Sequence, residues 1–356
     1  MKILCFHPAL APYRVDFFNL LGRRTQLKIV FLQDNLQTQK FDQPKLLASL
    51  QVPYEFLTKG ICVAGRCVRM GVLKIVRREC PDVILGYEAS PVTLALLLFK
   101  KLRLIKAGIW TFMDDSPDQV RSRTGLRRLI RDWVVGNVDR VVVPSAQSAA
   151  AYRQFSPARF FVAPIIHDTD TIRVNADRVY DMGRAWRVEN IPSGWSKVLL
   201  FVGRLTAIKN IPWLIDRMVE QPNDVGLLLV GDGDEEHLLK GRVETLGLSS
   251  RVMFVGRKEG DDLYAMMAMA DCLVLCSHSE TFGAVVAEAM QWGTPCLVAH
   301  HIGASVLVED GVNGNVFARN DVEGFKTAVA ELPARKDESI LPCDLCGAVE
   351  VLTRTL

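Results

Sequence analysis

Val198-Leu199-Leu200-Phe201-Val202-Gly203-Arg204-Leu205 runs five apolar residues together and ends them with a glycine and a cation. Apolarity that is continuous rather than alternating belongs to a strand covered on both faces, as in a parallel sheet wrapped by helices. The same unit recurs. Val198–Val202, Gly226–Val230, Val252–Val255, Cys272–Cys276 and Pro295–Val298 are expected as strands of one sheet. Upstream, Ile3–Phe6, Lys28–Leu32, Val83–Leu85, Gly108–Phe112 and Val141–Val143 form an earlier set, with longer amphipathic segments filling the gaps as helices. The expected class is α/β, with two Rossmann-like domains.

Between the two sets, residues 167–196 turn polar and contain Pro192-Ser193-Gly194, the composition of an interdomain connection. The expected division is a first domain over 1–166, a linker over 167–196, a second domain over 197–340, and a segment over 341–356 packing back on the first domain. Ligands of such sheets bind beyond the carboxyl ends of the strands, so the loops after the strands are where chemistry is sought.

Length and composition fit that plan. The chain has 356 residues, 49% of them hydrophobic, and a mean hydropathy of +0.15, enough for two separate cores. The apolar stretch Pro91–Phe99 is too short to span a bilayer, which needs about 20 residues. The N-terminus reads as a first strand rather than a secretory leader. Nine scattered cysteines suit a reducing compartment better than a disulfide framework, which points to the cytoplasm. The Cys343/Cys346 pair has no second pair beside it, so no metal is expected. Charge is uneven: residues 1–190 carry 29 Lys+Arg against 17 Asp+Glu, and the remainder 14 against 23. A basic first half attracts an anionic membrane surface or a polyprenyl-diphosphate acceptor. Nucleic acid is not expected, because no helix-turn-helix, zinc or aromatic platform accompanies the charge.

The loops carry the candidate chemistry. Gly203 allows close backbone approach, Arg204 offers a planar fork for two phosphate oxygens, and Lys209 adds a point charge, although each cation alone also reads as an ordinary surface residue. Ser279-Glu280-Thr281-Phe282-Gly283-Ala284-Val285-Val286-Ala287-Glu288 looks like a strand end feeding a helix. The helix N-terminus favours phosphate, and a carboxylate on either side, Glu280 and Glu288, can hold sugar hydroxyls. The competing role for Glu280 is a helix cap. Gly231-Asp232-Gly233 and Gly256-Arg257-Lys258 are turns of the same rim; the second could read a nucleobase edge or be plain turn chemistry.

In order, Gly203-Arg204-Leu205 with Lys209-Asn210, Gly231-Asp232-Gly233, Val255-Gly256, Glu280 and Glu288, Gly293-Thr294-Pro295 and Glu309-Asp310-Gly311-Val312-Asn313-Gly314 resemble a family 4 retaining glycosyltransferase of the GT-B fold, of the bacterial polysaccharide type. The resemblance covers about residues 197–325. It implies two parallel sheets facing a central cleft and a hexosyltransferase-type activity, moving sugar from a UDP- or GDP-sugar to a glycan or polyprenyl-linked acceptor with neither cofactor nor metal. By the same resemblance Arg204 and Lys209 hold the diphosphate, Glu280 contacts the donor sugar and Glu288 the ribose. The backbone of Phe282, Gly283, Ala284 and Val285 meets phosphate and sugar oxygens, and Gly256 and Arg257 lie near the base. Retention by a front-face route needs no carboxylate nucleophile. A nucleotide-sugar epimerase, a phosphorylase and a non-catalytic sugar-nucleotide sensor at the membrane are the alternatives.

The first half matches the pattern less closely. Its Pro12-Tyr13-Arg14 loop resembles the version in some polysaccharide enzymes, giving Arg14 either a reach into the cleft or a plain surface position. Asp114 or Asp115 stands where many relatives carry histidine, so Asp114 joins Arg14 as an acceptor-side candidate, the equal alternative being that the two aspartates begin a turn with Ser116-Pro117. Arg121, Arg123, Arg127, Arg128 and Arg131 surround a helical segment in which Leu126, Leu129, Ile130 and Trp133 share one face. Two readings stay open for it: packing of that face on the sheet, or peripheral docking on the inner face of the cell membrane.

Overall fold

A computed structural model describes residues 1–35, 41–63 and 66–354, and divides into two compact units, 1–168 with 345–356 and 169–344. In the first unit, β1 (Lys2–His7), β2 (Gln26–Phe31), β3 (Tyr54–Phe56), β6 (Val83–Tyr87), β7 (Gly108–Phe112), β8 (Arg140–Val143) and β9 (Arg159–Val162) form one sheet. Its order is β3-β2-β1-β6-β7-β8-β9 and every pairing is parallel. A hairpin of β4 (Gly60–Val63) and β5 (Arg66–Arg69) stands apart. The second unit orders β12 (Val252–Gly256), β11 (Val225–Val230), β10 (Lys197–Val202), β13 (Cys272–Leu275), β14 (Cys296–Ala299) and β15 (Gly314–Phe317) as β12-β11-β10-β13-β14-β15, again all parallel.

Strand order reverses between β1 and β6 in one sheet and between β10 and β13 in the other. There the connecting helices leave on opposite faces, and a crevice opens beyond the carboxyl ends. Leu199, Leu200, Phe201, Leu227, Leu228 and Leu273 are fully buried, as continuous apolar runs covered on both faces require.

The strands absent from the sequence reading are short or lie at edges. Tyr54–Phe56 and Arg159–Val162 are the outer strands of their sheet, where half-exposed positions admit polar residues and blur the apolar run. The stretch expected as a polar linker is largely helical. Helix Ala176–Asn190 buries Val179, Tyr180 and Gly183 and packs on helix Asp261–Met269 within the second unit. A side chain at Gly183 would meet the Ala265 carbonyl at 2.8 Å, so a glycine lets the two helices close. The chain returns at its end, where helix Leu345–Arg354 packs on helix Pro12–Arg24 and β9 of the first unit. Against the expectation of no disulfide framework, Cys67 is disulfide-bonded, whereas Cys5, Cys80, Cys272, Cys276, Cys296, Cys343 and Cys346 are free.

Candidate functional site

At the switch point of the second sheet, two loops are tied together by their backbones. After β10 the chain turns through Gly203-Arg204-Leu205 into a 3-10 turn, Ala207–Lys209, with Asn210 in the left-handed region at φ 58°. After β13 it runs from Cys276 to Gly283. The His278 N–H donates to the Ile208 carbonyl at 2.8 Å, and the Asn210 amide donates to the Cys276 carbonyl at 3.2 Å. These bonds bring Lys209 and Glu280, separated by 71 positions, into a half-buried ion pair in which the ammonium donates to the carboxylate. Lys209 Cε lies 3.8 Å from where a Gly203 side chain would begin, so its stem crosses the glycine beside Arg204, which is exposed.

The rim around them needs glycine for backbone reasons. The Gly203 N–H donates to the Val230 carbonyl and the Gly231 N–H to the Gly256 carbonyl, both at 3.0 Å, while the Leu205 N–H donates to the Asp232 carbonyl at 2.7 Å. Gly231 has φ 143°, and a Cβ there would lie 1.9 Å from the Gly203 oxygen. Arg257, expected near a base, is ion-paired with Glu259 on the surface.

Gly283 sits at the N-cap of helix Ala284–Gln291 with φ 93°, a value side-chain-bearing residues avoid. No side chain caps this helix and its first turn holds no acid, so capping by Glu280 is excluded. First-turn N–H groups at a helix start have no helical partner and carry partial positive charge. Ala284, Val285 and Glu288 are the half-buried members of a helix otherwise buried through Gln291, so Glu288 shares one stripe with the two residues at the helix start. Phe282 is buried, and its carbonyl is taken by the Ala304 N–H at 2.6 Å. One rim thus presents two cations, two carboxylates and a helix N-terminus. Burial pushes the Cys276 thiol up to about 12, which leaves it an inert neighbour.

The first unit places its candidates differently. Arg14 is not on the surface; it is 2% exposed, and its guanidinium donates to both Asp114 oxygens, at 2.7 and 2.6 Å, while lying 4.5 Å over the Phe112 ring. Burial and the nearby Arg14 charge lower His7 to about 3, keeping the imidazole neutral. Asp115 is also internal, bonded by Arg123, Arg131 and the Tyr152 hydroxyl, and the two guanidinium groups hold its carboxyl down against burial. Arg131 extends the network to Glu88 at 2.8 Å. Glu88 follows β6 at the switch point with φ 48°, an uncommon backbone state for this residue type, and burial raises its pKa. The sequence reading passed over Glu88 and Tyr152; a left-handed φ and a partner 43 positions away leave no local pattern.

Two Rossmann-like units, the second with a cation–carboxylate rim at its switch point, define the GT-B class. Residues 184–339, most of the second unit, match the model for glycosyl transferases group 1. A D-inositol 3-phosphate glycosyltransferase of Corynebacterium aurimucosum is 29% identical over 354 residues, covering 89% of this chain and 78% of that protein. A lipopolysaccharide core biosynthesis glycosyltransferase of Rhizobium meliloti is 34% identical over 137 residues, 38% of this chain and 39% of its own length. An Anabaena HepE structure in complex with UDP superposes with a TM-score of 0.74 at 20% identity, covering 100% of this chain and 95% of that one. Among the described residues no helix is long and apolar enough to cross a membrane.

Proposed function

We propose that this chain is a retaining, family 4 type hexosyltransferase that moves a sugar from a UDP- or GDP-sugar to a glycan or polyprenyl-linked acceptor in cell-surface polysaccharide synthesis. The reading places it in the cytoplasm, at the inner face of the membrane. The observation that carries it is the Lys209–Glu280 pair, held between Gly203-Arg204 and the start of helix Ala284–Gln291. Solved neighbours bound to UDP and to UDP-glucose support a nucleotide-sugar donor, and the Rhizobium relative supports the polysaccharide setting.

In this reading the donor diphosphate displaces Glu280 from Lys209. The ammonium and the Arg204 fork then take the phosphate oxygens, and Glu280, released, accepts from donor-sugar hydroxyls. Glu288 takes the ribose hydroxyls, and the N–H groups of Gly283 to Val285 face the phosphates. As the bond from the anomeric carbon to the diphosphate oxygen breaks, charge grows on that oxygen, and both cations act where the transition state needs them. The acceptor oxygen attacks the same face, and its proton passes to the departing diphosphate. No metal or cofactor is assigned a step, since Arg204 and Lys209 supply the positive charge.

The test is a calorimetric screen of UDP- and GDP-sugars followed by product analysis with Arg204→Ala. Binding of at least one donor and turnover reduced by about a hundredfold or more in the variant are expected. No heat with any donor, or full turnover in the variant, rejects the reading. Product without acceptor indicates an epimerase, and dependence on inorganic phosphate indicates a phosphorylase.

A further inference from the structure

Arginines gather at the β9 corner of the first sheet. Arg140 and Arg159 open β8 and β9 and stand in register, and the helix joining those strands, Ala146–Arg153, ends on a third. With Ala158, Phe160 and Phe161 these three arginines line a cavity of about 450 Å³, and no carboxylate is among its lining residues. The Arg140 guanidinium lies against two rings, 4.8 Å from the centroid of Trp110 and 5.0 Å from that of Phe161, and Arg153 lies 5.7 Å over Phe160. Arg153 and Arg159 are exposed, and among the described residues no ion pair holds either. Burial, and after it the charge of Arg159, lower the Arg140 pKa against the opposing pull of Asp139, which itself accepts from Lys100 at 2.5 Å and from the Ile109 N–H at 2.6 Å. Like charges crowded on a cavity wall destabilise one another, and a bound anion relieves that repulsion. Arg140 and Arg159 stand at the amino ends of their strands, whereas the crevice of this sheet opens beyond the carboxyl ends.

We propose that this corner is a second ligand site, which takes a phosphate group, free or carried on a small sugar or nucleoside. The number of donors decides the anion. A carboxylate offers two oxygens and one charge, too little for three guanidinium groups, whereas a phosphate monoester presents three strong acceptor oxygens and a charge of about −1.5 to −2 at neutral pH. Arg153 and Arg159 reach the phosphate with their planar forks, and Arg140, steadied by its ring contacts, meets it from the cavity wall. The volume falls within the range of small-molecule sites, about 300–1,000 Å³, so there is room for more than the phosphate, and Phe160 and Phe161 give the remainder an apolar wall. None of these residues belongs to the donor rim of the second unit, so the inference stands or falls apart from the sugar-transfer reading.

The test is calorimetric titration of the full chain carrying Arg204→Ala and Lys209→Ala, changes that keep the donor rim from taking the probe. The probes are inorganic phosphate, glucose 6-phosphate and UMP, with acetate at matched ionic strength as the control. At least one phosphorylated probe should bind about tenfold or more tighter than acetate, and the tightest names the source of the phosphate. Adding Arg153→Gln with Arg159→Gln, both at exposed positions, should abolish that difference at an unchanged melting temperature. On the unaltered chain the tightest probe should slow phenylglyoxal modification of Arg153 and Arg159, followed by mass spectrometry, more than acetate does, a readout that needs no variant. Equal binding of acetate and every phosphorylated probe, tight binding that survives loss of the two arginines, or modification of both at an undiminished rate would each overturn the proposal.

Discussion

Arg14 and Asp114 stand 100 positions apart and meet as a bidentate pair inside the first unit. Removing one partner strands the other charge in an apolar site, so Arg14→Ala should cost about 3–5 kcal/mol, measured by denaturant unfolding. Arg14→Met combined with Asp114→Leu should recover much of that loss. Lys209 and Glu280 form a pair of a different kind, half-buried and at a loop rim. Lys209→Ala should change stability by less than about 1 kcal/mol and reduce kcat/KM by about a hundredfold, a split that separates a catalytic role from a structural one. His7 gives a pH signature. The folded state holds it neutral down to about 3, whereas the unfolded chain takes up a proton near 6.5. Stability is therefore complete above pH 6.5 and falls as pH drops toward 3, by up to about 1.4 kcal/mol per pH unit. His7→Gln should flatten that limb of a pH-stability curve.

Among elements, the central strands were legible because a parallel sheet buried on both faces leaves an unbroken apolar run. The glycine turns after β10, β11 and β12 were legible as positions but not as causes. Gly231 is glycine because the Gly203 carbonyl occupies the space of its side chain, a contact between distant residues. Gly231→Ala should destabilise the second unit by about 2 kcal/mol or more and weaken donor binding, as thermal melts with and without nucleotide sugar would measure. Helix Gly125–Asn137 was legible as amphipathic, but which stripe faces inward was not. Asp115 and Glu88 wait beneath Arg131, and their attraction turns a cation to the protein and leucines to the outside. Periodicity gives the stripes; only the neighbours choose between them.

For the molecule as a whole, the second unit's site could be assembled from sequence because its parts sit in short loops after regular strands. The first unit's could not, because its charged groups are joined across long separations. The same contrast appears at the C-terminus, where Leu345, Val349 and Leu352 are buried in the first unit after the entire second unit has intervened. Deleting residues 345–356 should lower the melting temperature of the first unit while leaving calorimetric nucleotide binding by the second in place.

That return of the chain orders events at the ribosome. The first-made unit waits for its closing helix until the second has been synthesised, so a nascent chain holds the exposed flank of helix Pro12–Arg24 throughout that interval, and chaperones have a defined patch to guard.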